Sequence, residues 1–415
     1  MADGPEAIPA PPVEFKRVRP SSRGWHDETE VEAPERSTAA PRGEADPGGR
    51  MSSEARRPHD GIPAGGGWDL WARASLVSVL LLTSILMLRG IHDPSLHYPD
   101  ADRIRMDGVF VLDFLKVLPL SRIYQFTVQY YAQYPAINIG YHPPFFALIE
   151  ALFNAVCGIN VWSSRLALLP FVLVGMTAWF ALVRRIFDTA TAFWTTLLFA
   201  TTPFIVQWGW YTMGDLPLLF LTMLLGYLFY RSTESPKPAY LYASALVLVC
   251  AIWTKQTGIF VVVWFALYLV LRRQLVSYLA NWHLWLSLLL VGVALTPIAL
   301  MTAWLGDFNL AQSIGTGGWA GHLERLEWKN LIRYPWLLAT VQTSAPFLAL
   351  SMGGLALALR KRDGKLLYFG LLIATTYAFF TYVLAKEARY ALAWIPALAV
   401  FAALPVWYLK RSPGW

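Results

Sequence analysis

The hydrophobic pattern divides the chain in two. From Trp68 onward, apolar runs of roughly 16–23 residues recur, separated by short turns that hold most of the charge. At about 1.5 Å per helical residue such runs cross, or nearly cross, a hydrocarbon layer of ~30 Å. The expected spans are 69–90, 166–184, 191–209, 215–230, 238–253, 257–272, 282–304, 338–359, 366–384 and 390–409. A further apolar piece, 143–157, is short and follows Pro143-Pro144; whether it crosses decides the sidedness of everything after it. Residues 1–67 carry no such run. Pro, Gly, Ser and mixed charges dominate there, a composition that cannot bury enough surface to fold. They are expected to form a disordered cytoplasmic tail before a membrane domain at 68–415, and a start at Met51 would leave that domain whole.

Charge settles the topology. With 143–157 lying along the membrane, Arg184-Arg185, Arg231 with Lys237, Arg272-Arg273, Arg360-Lys361-Arg362 with Lys365, and Lys410-Arg411 all fall on the side of the tail. The positive-inside rule then makes that side cytoplasmic. The expectation is an all-α polytopic protein of about ten transmembrane helices, with both termini cytoplasmic and juxtamembrane helices in the first outer loop. Composition agrees: 56% hydrophobic and 15% charged residues are too apolar for a soluble domain. The 19 Trp and 19 Tyr match the aromatic belts of membrane interfaces. The net charge of +7 reflects Lys and Arg beside helix ends and is no argument for nucleic acid. Cys157 and Cys250 lie in apolar surroundings and are expected to pack.

This topology collects the unusual charges on the outer face. Asp100 and Asp102 follow the first span in a Pro-containing segment expected to be irregular, and Asp215 opens an apolar run after Trp208-Gly209-Trp210-Tyr211. A partly desolvated carboxylate there suits a general base, whereas a solvated loop acid or, for Asp215, a helix cap is the plainer reading. Lys255, Lys386 and Arg389 face outward against the charge rule, with Tyr390 beside them. Singly such cations snorkel to headgroups; together with acids they suggest a site for an anion such as phosphate. His142, ahead of the two prolines, adds a cation or hydrogen-bond donor. The acids leave a divalent cation open as cofactor, but no clustered His/Cys set supports a metal. Asp107 and Asp113 look structural. The Gly315–Trp319 stretch in the loop 305–337 is expected to form a mobile cover.

In order, these pieces resemble the GT-C class of membrane glycosyltransferases, similar to the lipid A aminoarabinose transferases and the protein O-mannosyltransferases. Asp100-Ala101-Asp102-Arg103 resembles the acid motif of the first loop, and His142-Pro143-Pro144-Phe145-Phe146 the Pro-Pro approach to a juxtamembrane helix. Gly158-Ile159-Asn160-Val161-Trp162 with Arg165-Leu166 resembles the family's Gly-x-Asn-x-Trp turn. Thr202-Pro203 with Asp215-Leu216-Pro217, Trp253-Thr254-Lys255, and Lys386-Glu387-Ala388-Arg389-Tyr390 resemble its later motifs. Ala101, His142 and Gln256 depart from the residues common in relatives. The resemblance implies inverting transfer of a sugar from a polyprenyl-phosphate donor to a glycan, lipid or protein acceptor. Asp100 would be the base, Asp102 or Asp215 would orient the acceptor or sugar, and Lys255, Arg389, Lys386, Tyr390 and His142 would meet the lipid phosphate. A lipid or solute transporter is the competing reading, for which binding groups near the bilayer midplane and repeated broken helices would be expected. A haem enzyme is disfavoured because His283 is almost alone among histidines near a span.

Overall fold

The computed structural model describes residues 68–410 except 96–97, 139–140, 306–326 and 384. The expected tail 1–67 and the Gly315–Trp319 stretch lie outside the described residues. Among the described residues every regular element is helical. Helix α1 spans Leu70–Leu88, and the Asp69 carboxylate caps it by accepting the Ala72 N–H at 2.8 Å. Three helices make up the first loop: α2 at Pro99–Val117, α3 at Ile123–Gln133 and α4 at Phe145–Cys157. The bundle continues with α5 (Val161–Leu166), α6 (Leu169–Ile186), α7 (Thr189–Ala200), α8 (Pro203–Trp208) and α9 (Asp215–Glu234). Next come α10 (Ala239–Thr254), α11 (Phe260–Leu271), α12 (Leu275–Leu279) and α13 (Trp282–Leu305). The last are α14 (Trp328–Leu337), α15 (Ala345–Lys361), α16 (Leu367–Tyr382) and α17 (Trp394–Leu409).

Among the described residues five segments have the length and hydropathy to cross a membrane: Leu70–Leu88, Val161–Ile186, Asp215–Glu234, Trp282–Ala303 and Gly364–Tyr382. Shorter apolar helices at Thr189–Ala200, Ala239–Thr254, Gln256–Leu271 and Trp394–Leu409, together with α15, fill the other expected spans of this multi-pass all-α protein. Helix α4, 13 residues long, packs on α2 within the first loop as a juxtamembrane helix.

Three segments differ from their sequence-based reading. Residues 99–117 are helical: Pro99 sits at the first helical position, where its missing N–H removes no bond, and Asp100 and Asp102 face the positive end of the helix dipole. The run 191–209 breaks at Thr202, whose extended conformation precedes Pro203 and separates α7 from α8. Part of the expected loop 305–337 is helix α14, which leads into a single π-helical turn at Leu338–Gln342.

Small residues set the closest helix contacts. A Cβ at Gly175 on α6 would lie 2.6 Å from the Phe220 Cβ on α9, and one at Gly354 on α15 would lie 1.8 Å from the Phe401 carbonyl oxygen on α17. In a bilayer, where lipid is as apolar as Leu, such close backbone approach is a main source of association. Gly354→Ala is therefore expected to lower the Tm of the purified protein, overpacking being worth about 1–3 kcal/mol. Gly353→Ala, where nothing lies within 4 Å, is expected to leave the Tm unchanged.

The two ends of the bundle differ chemically. At one end Arg185 pairs with Glu234 at 2.5 Å, Lys410 with Asp188 at 3.4 Å, and Lys365 lies over the Trp407 ring. At the other end the starts of α2, α9 and α11 and the segment before α17 converge.

Candidate active site

Four local structures bring the charges together. Pro99 starts α2 with Asp100 in its first turn. Gly214 lies against the end of α10, where a Cβ would make ordinary contact with the Thr254 carbonyl at 3.4 Å, and Asp215 follows beside Lys255. Lys255 is extended, with φ −157° and ψ 126°, and so ends α10 and turns its side chain across to α9. Arg389 lies on a 3-10 turn at Ala388–Ala391, held from behind by Gln342. Gln342 donates to the Ala388 carbonyl and accepts from the Trp394 indole at 2.8 Å.

A cavity of about 540 Å³ opens between these segments, and Asp100, His142, Asp215, Lys255, Arg389 and Tyr390 all line it. Arg389, only 5% exposed, is its centre. Its guanidinium meets the Asp100 carboxylate at 3.1 Å, Glu387 at 2.8 Å and Asp215 at 4.0 Å. It also lies over the rings of Tyr98, Trp208 and Tyr390 at 4.6, 5.7 and 5.4 Å. Lys255 Nζ is 2.5 Å from the other Asp215 oxygen and 4.5 Å from the Tyr390 ring centre.

Burial opposes the charge on Arg389, yet Asp215, Tyr390 and Glu387 outweigh it and hold its pKa above the ordinary value. Burial lowers the affinity of Lys255 for its proton, with Asp215 acting in the opposite direction. Burial first, and then the Lys255 charge, push His142 down to about 4. His142 is thus neutral at neutral pH: it offers a hydrogen bond to an anion but not the cation that the sequence left open.

Two expected site residues lie elsewhere. Asp102 is exposed and does not line the cavity. Successive helical residues point about 100° apart, so Asp100 and Asp102 cannot share a face as they would on an extended loop. Lys386 donates from Nζ to the carbonyls of Phe380 at 2.6 Å, Thr381 at 2.7 Å and Val383, the open carbonyls at the end of α16. Its charge also lies over the Tyr334 ring, and it does not line the cavity.

Sequence reasoning missed Glu387 and Tyr98. The Tyr98 hydroxyl donates to Glu387 at 2.7 Å, and Glu387 in turn braces Arg389. An acid flanked by Lys386 and Arg389 was the available signal for Glu387. Arg165 was noted only as part of a turn motif. It is buried and donates to the carbonyls of Gly90, Ile91, Asp93 and Ser95 at 2.7–3.0 Å and of Trp210 at 3.3 Å. One side chain thereby ties the segment before Asp100 to the turn before Asp215. Among the described residues no three His, Cys, Asp or Glu side chains converge as metal ligands.

The fold these elements build is GT-C-like. Residues 141–304 match the model of the dolichyl-phosphate-mannose-protein mannosyltransferase family, a stretch that includes His142, Asp215 and Lys255. The fold is similar to ArnT from Cupriavidus metallidurans in two crystal structures. The one bound to undecaprenyl phosphate has a TM-score of 0.58 at 18% identity, and the apo state 0.59 at 19%; both cover 82% of this chain and 62% of that one. It is also similar to the archaeal oligosaccharyltransferase AglB from Archaeoglobus fulgidus, in complex with an inhibitory peptide and a dolichol-phosphate. That match has a TM-score of 0.50 at 12% identity over 83% of this chain and 52% of that one. The chain thus spans less than two thirds of the length of each of these structures. The search of curated proteins found no match.

Proposed function

We propose that this protein is a glycosyltransferase that moves a sugar from a polyprenyl-phosphate carrier to an acceptor at the outer face of the plasma membrane. The observation that carries this reading is the cavity in which Lys255 and Arg389 stand opposite carboxylates at one end of the bundle. A lipid-linked donor presents a phosphate at the membrane surface while its tail stays in the bilayer. Lys255 and the Arg389 fork are suited to the negative charge that grows on that phosphate as the glycosidic bond breaks. Asp100 is the acid placed to draw the proton from the acceptor nucleophile, with Asp215 fixing both cations. Direct attack opposite the leaving phosphate inverts the anomeric centre.

The printed ligands of the similar structures, undecaprenyl phosphate and dolichol-phosphate, support a lipid-phosphate donor. The sidedness rests on the basic clusters at the far end, which the positive-inside rule assigns to the cytoplasm together with both termini. Charges at helix ends rather than near the midplane favour transfer over transport.

The test adds purified protein to membranes from a deletion strain, which hold the native donor and acceptor. Loss of a polyprenyl-phosphate sugar with release of polyprenyl phosphate is expected, and no change in that pool would refute the reading. Arg165→Gln is expected to slow this transfer about tenfold or more, since a misplacement of ~1 Å at a reacting group is enough for such losses. Native-level accumulation in the membrane would separate this effect from misfolding.

A further inference from the structure

One acid of the cavity wall has no part in this scheme. Asp107 lies seven residues after Asp100 on α2, two turns and roughly 10 Å along the same helix face. It is 3% exposed and lines the same cavity. Its Oδ1 accepts the backbone N–H of Asn138 at 2.5 Å, and no cation pairs with it among the described residues. Behind it stands Glu150 of α4, wholly buried, with neither carboxyl oxygen in full hydrogen-bond contact with a described residue. Gly108 makes this packing possible, since a Cβ there would lie 2.8 Å from the Glu150 Cβ and 3.2 Å from its Oε2.

Tying down Asn138 does not require a charge. An amide or hydroxyl oxygen accepts the same N–H, and burying an acid beside a second acid is unfavourable. The donor phosphate is drawn to the opposite end, where Lys255 and Arg389 stand. On the proposed transferase reading, the Asp107 end of the cavity is left for the acceptor.

We propose that Asp107 is an acceptor-binding residue, whose carboxylate accepts a hydrogen bond from a hydroxyl or amine of the acceptor two helical turns from Asp100. This end of the cavity then takes a neutral polyol or an amine-bearing group and rejects a phosphate. Burial pushes Asp107 up to about 7, the Asn138 bond pulling the other way. Burial, and next the Asp107 charge, raise Glu150 well above the ordinary carboxylate range. The other charged and titratable groups around this cavity are Asp100, Arg103 and Arg105 on the same helix as Asp107, Tyr141 and His142 on the adjoining loop, and Asp215, Lys255, Glu387, Arg389 and Tyr390 across it. His142, at about 4, does not change charge between pH 6 and pH 8.

A raised carboxyl gains its charge as pH rises through its pKa, so Asp107 is mostly a carboxylate at pH 8 and mostly protonated at pH 6. Asp107→Asn keeps an oxygen for Asn138 and mimics the protonated acid. In the deletion-strain membrane assay the variant is expected to transfer about tenfold more slowly than wild type at pH 8, the worth of one hydrogen bond to a charged group. At pH 6 the two are expected to be within about twofold. Affinity for undecaprenyl phosphate alone is expected to stay within twofold of wild type. Equal ratios of variant to wild type at both pH values, or loss of undecaprenyl phosphate binding, would overturn the assignment. Failure of the wild-type protein to transfer at either pH would instead count against the transferase reading.

Discussion

Asp100→Asn is expected to abolish transfer and, at the same time, to tighten binding of polyprenyl phosphate. The first effect follows from losing the proton acceptor: a general base contributes typically ~10²–10⁴-fold. The second follows from the contact at 3.1 Å between Asp100 and the Arg389 guanidinium. An arriving phosphate competes with Asp100 for that guanidinium, so neutralising Asp100 removes the competitor. Because Asp100 is 35% exposed, water screens the pair and the gain is set at about fivefold. The measurement is a titration of purified wild type and variant with undecaprenyl phosphate. Unchanged or weaker binding by the variant would mean that Asp100 and the phosphate do not share Arg389. On the proposed reading the same competition would link the two substrates, a bound donor releasing Asp100 to act on the acceptor.

Arg389→Gln is expected to have the larger effect on the donor. It removes a cation in contact with Asp100, Glu387 and Asp215 together. Loss of one partner from a buried charge cluster destabilises by about 3–5 kcal/mol, so the Tm is expected to fall clearly. Undecaprenyl phosphate binding is expected to drop by about a hundredfold, within the range for a desolvated, charge-assisted pair. In the double variant with Asp100→Asn the fivefold gain should vanish, because its source is gone. Independent, additive effects would contradict the shared-guanidinium account. Arg389→Lys keeps the charge but not the planar fork, and is expected to recover stability better than transfer.

Much of this architecture was legible because a bilayer leaves the sequence few choices. Long apolar runs must be helices, and the side of each basic cluster follows from counting crossings. Lys255 and Arg389, cations set against that charge pattern, line the cavity. What stayed hidden depended on local helix chemistry and on contacts distant in sequence. Pro99 pointed to an irregular segment but is the first residue of a helix, and that helix sends Asp100 and Asp102 to different faces. Lys386 carried the same outward signal as Lys255, and only the position of the end of α16 shows which carbonyls it holds. His142 offered a cation until burial beside Lys255 was known to remove its charge. Asp107 and Glu150 are 43 residues apart by their numbering, and no periodicity announces that α2 and α4 press them together.

The central claim is that a lipid-linked sugar is consumed here. Mass spectrometry of polyprenyl-phosphate sugars tests it most directly, comparing a deletion strain with the same strain carrying wild-type protein or Asp100→Asn. One polyprenyl-phosphate sugar is predicted to accumulate in the deletion strain, to return to its normal level with wild type, and to remain high with the variant. An unchanged pool in all three strains, or full restoration by Asp100→Asn, would contradict the account.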